Sequence, residues 1–314
     1  MLGDVRMGPD AVLAQAAVAR GGEGALVVGA GSAILEQCVV VGRSGCATRI
    51  GRRTVFGHRC VVLGATVGDL CEIGNASVLM PGARLGDRVF LGEGTLVPSG
   101  MSLPDDVVAV GRPARVIRTV TDDDLRRLTA LRGGDLALPP DTLLPVEPRE
   151  EPAAIMGQLH AFGSITPTIA STATLFASAE ITGDVVVGER TIIGAGVKII
   201  GDSHGPVRIG NDVQILENTV LHLLPDNDLV IADGVVIGPG AMIHGCHIGP
   251  GSVVEAGAIV CDWSRIGANV LIGAGAVVKQ RSHFDDDAVV DGFPAQVVGR
   301  NERPLARPAW AIRR

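Results

Sequence analysis

Residues 248–278 read IGPGSVVEAGAIVCDWSRIGANVLIGAGAVV, and an aliphatic side chain falls on every sixth position: Ile248, Val254, Val260, Ile266, Ile272 and Val278. A spacing of six belongs neither to an α-helix nor to simple strand alternation. Each hexad must therefore be one short strand plus a corner that returns the next inward side chain to the same interior edge. Three hexads close a triangular coil. Strands of successive coils lie about 4.8 Å apart, so equivalent positions form ladders of near neighbours.

The spacing extends well beyond this stretch. Upstream it runs through Ile181, Val187, Ile193 and Ile199, then Ile209, Ile215 and Leu221, then Ile231, Ile237 and Ile243. The first half repeats it at Val67, Ile73, Leu79, Leu85, Leu91 and Val97. A longer repeat sits above the hexads: adding 181 carries Ile34-Leu35-Glu36 onto Ile215-Leu216-Glu217, and Gly111-Arg112-Pro113-Ala114 onto Gly292-Phe293-Pro294-Ala295. The irregular steps coincide too. Val40 to Ile50 spans ten residues, as does Leu221 to Ile231, and Val62 to Val67 spans five, as does Ile243 to Ile248. Such self-similarity reads as a repeat architecture duplicated within one chain.

Composition agrees with a narrow coil. The 314 residues include 43 glycines, no tyrosine and only 3% aromatics, so the interior must be filled by small aliphatic layers. The glycines read as corner residues with positive φ. A net charge of −7 without a basic run argues against nucleic acid or an anionic membrane surface as partner, and leaves a small molecule. The six cysteines, Cys38, Cys46, Cys60, Cys71, Cys246 and Cys261, show no C-x-x-C spacing. With no signal-peptide pattern and no long apolar run in the sequence, a cytoplasmic location with reduced, packed thiols is expected.

Between the repeats, Thr121-Asp-Asp-Asp-Leu-Arg-Arg-Leu reads as a helix with Thr121 as N-cap and Asp124 at the capping-box position. Leu125, Leu128 and Leu131 would lay it along the first coil. The expected organisation is all-β: an N-terminal domain over 1–119, a helix over 120–132, an exposed Pro-rich linker over 133–160, and a C-terminal domain over 161–314. The second copy lacks an equivalent helix, because prolines interrupt its tail.

The hexads resemble those of left-handed parallel β-helix proteins with hexapeptide repeats. The short insertion after Leu221, the G-x-P-A closing turn and the helix that follows it further resemble the γ-class carbonic anhydrases. That resemblance implies trimeric packing, here as a homo-oligomer, with zinc (or iron(II) or cobalt(II)) held by three histidines at each interface. By resemblance, His222 in ENTVLH is the first ligand and His244 in MIHGC the last, while the middle position holds Pro239. The first copy carries Val41, His58 and Leu63 at the three positions, and so keeps only the ligand its sister lacks. His58 of one copy facing His222 and His244 of another would complete one site. The family's R-G-D triplet is divided similarly, with Arg20 in one copy and Asp202 in the other. Arg20 and Asp202 are candidates to brace the interface and orient the reacting groups, and Glu36 and Glu217 to carry protons. The family's orienting glutamine is replaced by Leu35 and Leu216, and its active-site tyrosine has no counterpart.

The chemistry follows from the donors. Zinc takes neutral imidazoles at about 2.0–2.1 Å, and three protein ligands leave one position for water. Bound zinc lowers that water's pKa to about 7, giving a hydroxide able to attack an electrophilic carbon such as that of carbon dioxide. Two other classes fit the same repeats: a coenzyme A-dependent acyltransferase with a histidine base, and a catalytically silent scaffold. His244 and His222 also admit the reading of packed side chains. His160, His204, His247 and His283 fit no ligand position and read as loop or corner residues.

Overall fold

The computed structural model describes residues 3–22, 24–42, 45, 47–146, 157–202 and 205–313. Cys46 and His204 fall outside them. The chain separates into two compact units, Met1–Arg149 and Glu150–Arg314. Each unit is a parallel β-helix whose three walls are sheets of five to eight short strands.

The interior columns are the hexad positions. In one wall of the second unit Ile181, Ile199, Leu221, Ile243, Val260 and Val278 stand level on successive rungs, and all six are fully buried. Val28, Ile50, Val67 and Leu85 form such a column in the first unit. Strands of two or three residues suffice because every rung hydrogen-bonds the rungs above and below it, as Gly249 N–H does to the Ile266 carbonyl at 2.8 Å. Each buried aliphatic contributes about 1.5–3 kcal/mol, and the column adds these up.

The corners divide labour differently from the expectation. The glycine that directly follows an inward aliphatic residue does not, in general, supply the positive φ. The left-handed residue comes two positions later and is often not glycine, as at Arg53 (φ 52°), Asp212 (56°) and Asn269 (55°). The early glycine answers a close approach instead: a Cβ on Gly249 would lie 2.5 Å from the carbonyl carbon and oxygen of Gly267 on the next rung.

The helix, Asp122–Leu131, starts under a complete capping box in which Thr121 accepts from the Asp124 N–H and the Asp124 carboxylate accepts from Thr121 N–H. Leu128 is its buried contact. Leu131, expected on the packed face, is 66% exposed. The helix end is instead held by polar contacts: Arg132 Nε donates to the Arg53 carbonyl at 2.8 Å and the guanidinium pairs with Glu72.

The segment read as an exposed linker over 133–160 is in part folded chain. Arg53 binds the Asp135 carboxylate and the Ala137 carbonyl, Asp141 accepts from the Ala30 N–H at 3.0 Å, and Leu144–Pro145 pairs antiparallel with Val5–Met7. At the other end, Gln158–His160 is a strand paired in parallel with Glu180–Gly183. Proline lacks the N–H of a helical bond, and in the described part the Ala137 carbonyl takes the Arg53 guanidinium while the Val146 N–H takes the Val5 carbonyl. His160, His247 and His283, expected in loops or corners, all lie within strands. Among the described residues no helix is long and apolar enough to cross a membrane.

Candidate functional site

The coils of the second unit carry their insertions at one corner. Ile199 to Leu221 and Leu221 to Ile243 are each 22 residues apart in register, whereas Ile243 to Val260 is 17. The corner therefore stacks two long loops, holding Asp202 and His222, over the short turn that begins with His244. Asn227 ties the second of these loops to that turn, its Nδ2 donating to the Gly245 carbonyl at 2.7 Å. Gly245 leaves room for it: a Cβ there would sit 2.2 Å from Asn227 Nδ2.

His222 and His244 follow Leu221 and Ile243, which pair directly, and the His222 N–H donates to the Ile243 carbonyl at 3.0 Å. The two rings lie 6.2 Å apart between centroids at an interplanar angle of 83°. Two imidazoles on adjacent rungs, turned nearly perpendicular, can converge on one ion. His244 Nδ1 is buried without a hydrogen-bond partner, and the carboxylate oxygen facing it, Asp262 Oδ2, is 3.6 Å away. Asp262 itself is fixed. Its Oδ1 accepts from the N–H groups of Leu224 and Gly245 and from Asn227 Nδ2, at 3.1 to 3.2 Å. Sequence reading missed Asp262, which belongs to no motif. The available signal was its spacing: it sits one 17-residue coil beyond His244, plus one.

In the first unit the structure brings His58 to Glu36. The ring lies between its neighbours on the rungs below and above, with Nε2 3.1 Å from Glu36 Oε2 and Nδ1 2.9 Å from Asn75 Oδ1. Asn75 Oδ1 also accepts the His58 backbone N–H at 2.6 Å, which fixes it as an acceptor. Both flanking oxygens are thus acceptors, and a neutral imidazole has one N–H for the two. Arg20 is buried at the end of strand Val18–Arg20, level with Val41. Glu217 is fully buried, and Asp202 is half-buried in its turn. Among the described residues no three metal-ligating side chains come together within the chain. His222 with His244, and His58 with Glu36, are therefore pairs within the described residues.

The described cysteines carry no disulfide. Burial raises the Cys71 thiol to about 12 and holds Cys246 well above the ordinary thiol range, so both are protonated packing groups.

Known proteins share this sequence pattern. The profile of the family "Bacterial transferase hexapeptide (six repeats)" matches residues 245–280, and that of "Hexapeptide repeat of succinyl-transferase" matches residues 47–81. A carbonic anhydrase of Geobacillus kaustophilus is 35% identical over 156 residues, covering 50% of this chain and 85% of the relative. The chain belongs to the hexapeptide-repeat family. Other hexapeptide-repeat relatives include the carnitine operon protein CaiE of Escherichia coli K12, 30% identical over 139 residues, covering 44% of this chain and 70% of the relative. Among solved structures, a Bacillus cereus protein titled a putative acetyltransferase is similar at 33% identity and a TM-score of 0.45, covering 46% of this chain and 83% of that one.

Proposed function

We propose that this hexapeptide-repeat protein is a metal-dependent enzyme of γ-carbonic anhydrase type. It would hydrate carbon dioxide or a related small electrophile at a site completed between copies of the coil. The observation that carries the reading is the His222–His244 pair on adjacent rungs, 6.2 Å apart between ring centroids. The similarity to the Geobacillus carbonic anhydrase supports it.

The residues fit a borderline divalent ion. Buried Nδ1 of His244 faces a carboxylate, which leaves Nε2 as the outward donor on a side chain 27% exposed. His222 would supply the second nitrogen, and His58 from a neighbouring copy the third, once its ring turns away from Glu36 and Asn75, which face its two nitrogens in the free chain. Zinc, iron(II) or cobalt(II) held there supplies Lewis-acid activation of water toward the electrophilic carbon. The chain's own residues do the rest. Arg20 and Asp202 brace the interface and orient the bound anion. Glu36, 3.1 Å from His58, accepts a proton at its carboxylate and passes it outward, and Glu217 is the corresponding carboxylate of the second unit. We read the two units as copies of one domain packed with trimeric symmetry in a homo-oligomer, which gives each unit the neighbour that the site needs.

Metal content of the full chain purified without chelators, together with stopped-flow carbon dioxide hydration, tests the reading. Stoichiometric metal in the wild type, lost in His58→Ala and in His222→Ala along with hydration, is the expected result. Wild-type protein without metal overturns it, as does metal content that both substitutions leave unchanged. A large rise in melting temperature with acetyl coenzyme A in metal-free protein favours acyl transfer instead.

A further inference from the structure

Three features of the corner meet at Asp262: the second insertion, the turn after His244, and the orphaned ring nitrogen. We infer that Asp262 is the positioning residue for His244, fixing its tautomer so that Nε2 faces outward as a lone-pair donor. The inference rests on the proposed function for its purpose, but its geometry stands by itself.

The two oxygens of Asp262 face different groups. Oδ1 takes three N–H donors, from Leu224, Asn227 and Gly245, and so locks the carboxylate both to the loop that follows His222 and to the turn that follows His244. Oδ2 is turned to His244 Nδ1 at 3.6 Å. The Asp262 side chain is only 4% exposed, so water cannot take the role of acceptor freely. An imidazole beside a buried carboxylate places its single proton on the near nitrogen, because an N–H toward the anion is favourable and a lone pair toward it is not. Nε2 is then left with its lone pair. Carboxylates behind ligating histidines act in this way in metal sites generally, and removing one typically costs about 10–100-fold in metal affinity. The first unit offers an internal comparison. At the positions 181 residues earlier, His244 becomes Leu63 and Asp262 becomes Pro81. The copy without the imidazole is also without the carboxylate.

Asp262→Asn separates positioning from folding. Its Oδ1 can keep the three donors that hold the loop, which turns the new amide N–H₂ toward His244 Nδ1. That nitrogen must then accept, and the ring proton moves to Nε2. Nitrogen-15 NMR of the metal-free full chain, at a pH where imidazole is neutral, reads the tautomer directly. Wild type is expected in the Nδ1–H form and Asp262→Asn in the Nε2–H form, with zinc affinity lowered about 10–100-fold and a melting temperature close to wild type. A wild-type His244 in the Nε2–H form overturns the inference without reference to any variant. Zinc affinity within threefold of wild type in a folded Asp262→Asn with an unchanged tautomer overturns it as well. If zinc binds neither protein while the tautomer switches as stated, the positioning role stands and the metal reading of the site falls.

Discussion

The indole N–H of Trp310 donates to Glu255 Oε2 at 3.1 Å, and this contact pins the end of the chain onto a wall of the second coil. Two residues on, Ile312 exchanges both backbone groups with the side chain of Gln214, at 2.7 and 2.9 Å. Trp310 is almost fully buried in consequence. Burial raises Glu255 from its ordinary value of 4.5 to about 7, against the lowering effect of the indole and of a backbone N–H. A raised carboxyl means that the fold favours the neutral form. Its contribution to stability is complete below pH 4.5 and is lost as pH rises through 7. Glu255→Gln, a permanent neutral mimic, should match wild type near pH 4.5 and exceed it at pH 8, by at most about 3 kcal/mol. Denaturant unfolding followed by tryptophan fluorescence checks this, since Trp263 and Trp310 are the only tryptophans and both lie in the second unit. A variant less stable than wild type at pH 8 would contradict it.

Metal should appear in the stability as well as in the chemistry. If His58, His222 and His244 together hold zinc in the folded assembly, free zinc at a hundred times its dissociation constant should stabilise the protein by about 2.7 kcal/mol. The effect should disappear with a chelator. His222→Ala and His244→Ala should abolish it equally, because each removes one of two nitrogens on the same corner. Thermal unfolding with and without zinc is the measurement. A zinc-dependent rise that survives both substitutions would place the ion elsewhere.

The corner glycines give a contrast within one turn. Gly249 would carry a Cβ 2.5 Å from the Gly267 carbonyl and 2.7 Å from the Ala268 nitrogen, whereas Gly251, with φ at 66°, has nothing within 4 Å. Gly251→Ala therefore meets only the left-handed conformation, at about 1–2 kcal/mol. Gly249→Ala must push apart two hydrogen-bonded rungs and should cost several times as much. Equal losses for the two variants, measured by chemical denaturation, would show that the rungs separate easily.

The hexads made the architecture legible because the aliphatic residue of each hexad can face only the interior of a triangular coil. The same regularity exposed its own interruptions, and His222 and His244 could be placed on one corner from a 22-residue spacing alone. Asp262 stayed hidden. A single aspartate in CDWS carries no motif, and its meaning comes from the loop after His222, which bends back to donate two N–H groups to it, and from the turn after His244, which donates a third. Proline content marks a segment that cannot be helical but does not say whether a sheet edge lies within its reach, so the pairing of Leu144–Pro145 with Val5–Met7 was not legible. Leu131 follows Leu128 at helical spacing, yet the helix ends beyond the edge of its support, held there by Arg132.

Phe56 tests how rigid the coil is. It is fully buried in a chain with few rings, in the column Ile34, Phe56 and Ile73. A globular core could relax around a deleted ring, but here the rung spacing is held by hydrogen bonds such as that from Gly57 N–H to the Ile73 carbonyl at 2.8 Å. Collapse would require breaking that ladder. Phe56→Ala should therefore cost toward the upper end of the usual range of about 3–5 kcal/mol, while Ile73→Val on the next rung should cost about 1 kcal/mol. Because each coil touches only its neighbours, the loss should be local. Amide hydrogen exchange should rise most on the rungs carrying Ile34, Phe56 and Ile73 and fade with distance along the first unit. Uniform acceleration across that unit would mean that its coils open together instead of rung by rung.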